Sequence, residues 1–170
     1  MSTRVQTQGR LINRDRPVSF KFNGTLMKVH LLDTLEPGES VELEIDWSFR
    51  VPDWGRGGKE QVSDGWIYEL AQWFPRLAVY DDVNGWQTDQ FLGRGEFYLE
   101  FGDYDVKITV PSDHIVASTG VLQNAKDVLT AEQRSRYEQA KTSDRPVLIV
   151  TQEEAIENEK VQEKGLATWH

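Results

Sequence analysis

The sequence predicts a mainly β fold, an antiparallel saddle- or sandwich-like domain carrying one short capped helix. Three observations predict it. Residues 41–51 alternate apolar and polar side chains without a fault. An Asn-Gly pair, Asn23-Gly24, sits between two apolar runs, the strongest short hairpin signal. Turn residues divide the rest into short apolar runs at sandwich-like spacing, roughly eight strands in all.

Taken in order, the N-terminal Met1-Ser2-Thr3-Arg4 has no apolar run of the signal-peptide kind, so no such peptide is expected in this stretch. Val18-Ser19-Phe20-Lys21-Phe22 and residues 26–32 read as the two arms of the hairpin. Asn23-Gly24-Thr25 is also a glycosylation sequon, but a turn accounts for it without secretion. Pro37-Gly38 turns the chain into the alternating strand. There Val41, Leu43, Ile45, Trp47, Phe49 and Val51 share one face, while acids, Ser48 and Arg50 take the other. Residues 52–61, with Trp54-Gly55-Arg56-Gly57-Gly58, have no period and read as a flexible loop. Residues 96–101 and 104–111 read as strands joined at Gly102-Asp103. A further strand over 114–122 is broken by Gly120, and residues 146–150 make another. The helix is announced by a capping box, Thr130-Ala131-Glu132-Gln133, followed by good helix formers to Lys141. Thr151-Gln152-Glu153-Glu154 repeats that signature before the charged run 153–164, which reads as a short helix or a solvated loop.

The 170 residues suit one domain, with 38% of them apolar. A net charge of −9 and a pI near 4.8 argue against nucleic acid and against an anionic membrane surface, both of which need a basic face. There is no cysteine, which excludes disulfides, thiolate zinc sites and a cysteine nucleophile. No apolar run approaches membrane-spanning length.

Chemistry-bearing patterns are sparse. His30, His114 and His170 lack helical metal spacing, so no metal site is expected in this chain. No Gly-x-Ser-x-Gly elbow is present, and Gly93-Arg94-Gly95 lacks the third glycine of a phosphate cradle. Asp81, Asp82, Asn84 and Asp89 cluster in one loop but lack the ligand alternation and terminal glutamate of a calcium loop. Asp103 and Asp105 flank a turn with no assignable partner acid for glycosidase chemistry. Five of the six tryptophans lie between positions 47 and 86. Exposed, they would make a stacking platform for sugars. Trp47 falls on the apolar face of its strand, and Trp66, Trp73 and Trp86 are expected to pack.

The most distinctive stretch is Tyr68-Glu69-Leu70-Ala71-Gln72-Trp73-Phe74-Pro75-Arg76-Leu77-Ala78-Val79-Tyr80-Asp81-Asp82, closing on Gly85-Trp86. It resembles the Phe-Pro-Cys-Phe-Asp-Glu region in the N-terminal domain of gluzincin aminopeptidases, the zinc metallopeptidases of the aminopeptidase N and leukotriene hydrolase type. Residues 24–40 are similar to that family's strand followed by a leucine and Pro-Gly. Glu96-Phe97-Tyr98-Leu99 through Val110-Pro111, then Ile115-Val116-Ala117-Ser118-Thr119-Gly120, resemble its Phe-x-Leu-x-Ile-x-Val-Pro and Ala-x-Ser-x-Gly blocks. Residues 124–140 resemble a helical insert of bacterial members, and Thr168-Trp169-His170 a strand leading into the catalytic domain. Val79 stands where the family has cysteine, and Val83 where it has the proline after its acidic pair. Those departures suit a divergent, bacterial branch.

The resemblance implies a non-catalytic β-domain over residues 1–170, truncated at both ends, with a helical insert at about 126–142 and a catalytic domain beginning after 170. It implies that zinc, held by His-Glu-x-x-His and a distant glutamate, and the Gly-x-Met-Glu-Asn motif both belong to that catalytic domain, since neither motif occurs here. This chain alone should then be inactive and hold no cofactor. Its partners would be the catalytic domain and, through the parent, a peptide substrate. The family's substrate-contacting glutamine falls nearest Gln72, with Glu69 second. Trp73, Phe74, Pro75, Leu77 and Val79 would form the interdomain docking face, and that apolar face, left bare, would drive self-association. Two readings from other classes are a stand-alone carbohydrate-binding module using exposed tryptophans and an interaction domain of a parent without catalysis.

Overall fold

The computed structural model describes residues 11–13, 16–53, 57–62, 65–90, 98–160 and 165–170. Among these the chain is mainly β, with short strands in small antiparallel sheets and few helices. It divides into two compact units, the first comprising Met1–Glu60 and Ile67–Phe101, the second Gln61–Trp66 and Gly102–His170.

In the first unit, β1 (Leu11–Asn13) is flanked by β2 (Arg16–Pro17) and by β5 (Glu44–Ile45), both antiparallel to it. The hairpin predicted around Asn23-Gly24 is present as β3 (Ser19–Asn23) and β4 (Leu26–His30). Its two-residue loop is Gly24-Thr25, one position later than the Asn-Gly pattern suggests, because Asn23 itself pairs with Leu26. Gly24 has φ +58°, the left-handed conformation that the first central position of such a turn demands. A Cβ there would also overlap the Gln90 side chain, which donates to Asn23 Oδ1 at 3.3 Å.

The alternating segment keeps its two faces but not its length. From Leu43 to Val51 every odd-numbered side chain is half-buried and every even-numbered one exposed. Yet only Glu44–Ile45 forms a named strand, paired with Ile12 and Leu11 of β1, and Ser48 makes an isolated bridge. Val41, expected in the core, is exposed. Trp47 stacks on Phe49 at 5.5 Å and meets Trp73 at the same separation. The period-two pattern therefore specifies which side chains turn inward, whereas the ladder requires a neighbour.

Further strands are β6 (Lys59–Val62) and β7 (Gly65–Tyr68), paired with each other, and the hairpin of β8 (Tyr80–Asp81) with β9 (Gly85–Trp86). Trp54-Gly55-Arg56 of the expected loop, and Gly93-Arg94-Gly95 with Glu96-Phe97 of an expected strand, lie outside the described residues. Beyond them, Leu99 forms an isolated antiparallel bridge with Ala78.

The second unit is built on β10 (Ile108–Pro111) and β11 (Leu166–Trp169), antiparallel, with Ile108 opposite Trp169 and Val110 opposite Ala167. Strands expected over 114–122 and 146–150 do not form. The only strand paired with β10 among the described residues is β11, and those segments find no ladder. Leu148, at the centre of an apolar run, is 74% exposed. Three helices are present in this unit among the described residues: α1 (Ala125–Val128), α2 (Ala131–Ala140) and α3 (Gln152–Glu159). Both predicted capping boxes close reciprocally, Thr130 with Gln133 and Thr151 with Glu154. Asn124, at the start of α1, caps nothing with its side chain. Its amide instead donates to the Thr168 carbonyl at 2.8 Å and accepts from the His170 N–H at 2.9 Å, fastening the end of β11. Arg136 of α2 pairs with Glu154 of α3. No helix among the described residues is long and apolar enough to cross a membrane.

Candidate functional site

The stretch 68–90 gathers the sequence-predicted site residues, and the structure separates them into three groups. Glu69 and Gln72 form the first. The Glu69 N–H donates to the Gly58 carbonyl at 2.8 Å, which ties the end of β7 to the chain before β6. Both side chains are exposed. Gln72 has φ +51° and is the one non-glycine residue with positive φ among the described residues. For an L-residue this conformation costs about 1–2 kcal/mol, so the surroundings must over-determine it. Immediately after it, the half-buried Trp73 is anchored by Trp47 and by Phe74, the latter at 5.3 Å edge to face. An exposed glutamine on a strained turn, next to an anchored tryptophan, presents its amide to solvent from a fixed base.

The second group is the expected docking face, and it splits. Pro75 and Leu77 are outward, Leu77 being 70% exposed. Trp73 and Phe74 are half-buried in the aromatic cluster, and the Arg76 guanidinium lies 5.9 Å from the Phe74 ring centroid. Val79 corrects the expectation outright. At 1% exposure it is the most buried large side chain among the described residues. The cause is the chain on either side of it: Ala78 bridges Leu99, Arg76 donates to the Glu100 carbonyl at 3.2 Å, and the Val79 carbonyl accepts from Gln87 at 2.8 Å. Chain on both sides makes 76–80 a central segment, and alternate side chains point in opposite directions.

The acidic loop forms the third group. Asp81 accepts hydrogen bonds from the backbone N–H of Val83 at 2.9 Å and of Asn84 at 2.6 Å. The Asn84 backbone bond, with smaller help from Val83 and the Asn84 amide, holds the Asp81 carboxyl below its ordinary value. Asp89 accepts from Gln87 at 2.9 Å. Asp81 thus shapes the turn, and Asp89 is engaged by the Gln87 side chain.

Trp66 and Trp86 depart from the packing expectation, whereas Trp73 meets it. Trp66 is 47% and Trp86 54% exposed, and Trp86 meets Tyr80 edge to face at 5.2 Å across the β8–β9 pair. The histidines lie apart: His30 is exposed in β4, His114 Nδ1 is 2.7 Å from Asp113 Oδ1, and His170 Nε2 is 3.0 Å from Asp105 Oδ1. No group of three or more His, Asp or Glu side chains is placed to hold a metal ion among the described residues, so they do not fit a zinc site. The two His–Asp pairs and a cavity over β11 carry no sequence signature. Asp105 and His170 are separated by 65 positions, and only the β10–β11 pairing brings them together.

Compared with protein-family models, with curated proteins and with solved structures, the chain matches none.

Proposed function

We propose that this chain is a non-catalytic, saddle- or sandwich-like β-domain of a zinc aminopeptidase-like metallopeptidase, bordering the active-site cleft and packing on the catalytic domain. The resemblance of the 68–86 stretch supplies the family. The observation that carries the reading is Gln72: exposed, left-handed, and fixed between the Glu69–Gly58 bond and the Trp73 cluster. A strained, solvent-facing glutamine suits a residue that reaches toward a peptide's first side chain. Glu69, exposed near the same turn, is the second candidate. Leu77 and Pro75 are the residues left for docking. In this reading zinc belongs to the catalytic domain, which supplies the Lewis acid and activated water, while the β-domain positions substrate and excludes solvent.

The test uses the full-length protein encoded by the reading frame that contains these residues. Chelator-sensitive hydrolysis of aminoacyl-anilides is expected, and Gln72→Ala should lower kcat/KM about tenfold, equal to about 1.4 kcal/mol. Absence of chelator-sensitive turnover overturns the family reading. An unchanged kcat/KM in Gln72→Ala overturns the role of Gln72.

One observation favours a second reading, a carbohydrate-binding module. Tyr80 and Trp86 are 63% and 54% exposed as an aromatic pair. A saturable fluorescence change with a defined oligosaccharide, lost in Trp86→Ala, would select it.

A further inference from the structure

The second unit holds a cavity of about 330 Å³ beside β11, at the lower end of the about 300–1,000 Å³ typical of small-molecule sites. One part of its lining is apolar. Ala167 and Trp169 stand two apart on β11 and therefore share a face, joined by Ile115, Leu129 and Val150. Trp169 is only 7% exposed, and its indole Nε1–H has no hydrogen-bond partner among the described residues. The other part is rich in acceptors. Glu154 and Glu157 lie one turn apart on α3, and both line the cavity. Asn158 donates one amide N–H to the Asp113 carbonyl at 3.0 Å, which leaves its carbonyl oxygen and its second N–H. Ser112, His114, Thr130 and Gln133 complete the polar wall, and no lysine or arginine lines it.

The charges facing this space can be counted. Glu154 is engaged by Arg136 from α2, and His114 by Asp113. Glu157 meets Lys160 at 2.8 Å, but both side chains are well exposed, 75% and 64%. An exposed pair of this kind contributes little and exchanges easily. Glu157 is therefore the carboxylate most readily redirected to a ligand. An aromatic wall, an apolar floor and a carboxylate rim without a lining cation suit an organic cation, whose charge the carboxylates attract and whose hydrocarbon body the indole and aliphatic side chains cover.

We propose that this cavity binds a small alkylammonium ligand, with its hydrocarbon body against Ala167, Val150 and Trp169 and its ammonium group toward Glu157. The assignment goes beyond the aminopeptidase reading and does not rest on it, since every residue involved lies in the second unit.

Three probes of matched shape test it on the full chain: isoamylammonium, isoamyl alcohol and isovalerate, each followed through the Trp169 indole N–H resonance. Isoamylammonium should shift that resonance saturably, with the alcohol about tenfold weaker or more and isovalerate inert. Glu157→Gln, at an exposed position where folding is not at stake, should weaken isoamylammonium about threefold or more. Ala167→Leu should abolish the shift by filling the cavity. The proposal is overturned if isoamylammonium causes no saturable shift, if the alcohol or the carboxylate binds as tightly, or if Glu157→Gln leaves the affinity unchanged. If Ala167→Leu fails to fold, the probe series and Glu157→Gln still decide.

Discussion

Asp81 and Gln72 show how much of this protein is arranged by single residues. At Gln72 the backbone adopts a conformation that L-residues avoid, and the neighbouring aromatic anchor holds it there. At Asp81 a carboxylate accepts from two backbone N–H groups of the β8–β9 loop. Because those bonds favour the charged form, the folded-state pKa lies below the ordinary 3.8. The stabilisation is therefore fully present above about pH 3.8 and lost as pH falls through the depressed folded value. Asp81→Ala should lower the denaturation midpoint at neutral pH. The gap from the parent protein should close in strong acid, which urea titrations across pH would show. A gap that persists unchanged at low pH would assign the effect to something other than the carboxylate.

At the scale of elements, hydrogen-bond closure rather than apolar patterning defines the helices. Neither α2 nor α3 buries a single residue fully, yet each begins with a complete capping box. Such a helix depends on its ends more than a well-packed one does. Thr130→Ala should accordingly cost about 1 kcal/mol, and Thr130→Ser should restore most of it, both measured by thermal unfolding. The strands obey a different rule. Apolar alternation over 43–51 orients the side chains, but the named strand there is only Glu44–Ile45, paired with β1. The β3–β4 hairpin is complete along five residue pairs because its partner is supplied by the turn itself.

For the whole molecule, the distribution of apolar surface matters most. Large apolar side chains at Leu77, Val83 and Phe101 are 70%, 85% and 100% exposed, whereas Val79, in the same stretch as Leu77, is sealed in. Exposed apolar groups of this size favour association. Leu77→Ser together with Val83→Ser should reduce self-association in sedimentation velocity with little change in unfolding temperature. Trp73→Ser with Phe74→Ser should instead lower stability by about 3 kcal/mol or more, because these rings meet each other and Trp73 meets Trp47. If the aromatic pair can be replaced without loss of stability, it belongs to the docking surface after all.

The sequence by itself determined the mainly β character, the hairpin at Asn23-Gly24, the inward-facing residues of 43–51 and both capping boxes. All of these depend on residues within a few positions of one another, where backbone sterics and side-chain reach decide the outcome. Tertiary structure alone decided that Val79 is core, that Leu148 is not, and that runs 114–122 and 146–150 form no ladder. Each of those depends on whether a distant segment arrives alongside, which no local pattern encodes. The cavity at Trp169 belongs with them. Its walls come from 112–115, 128–133, 150–158 and 167–169, and only the folding of β11 against β10 places them around one space.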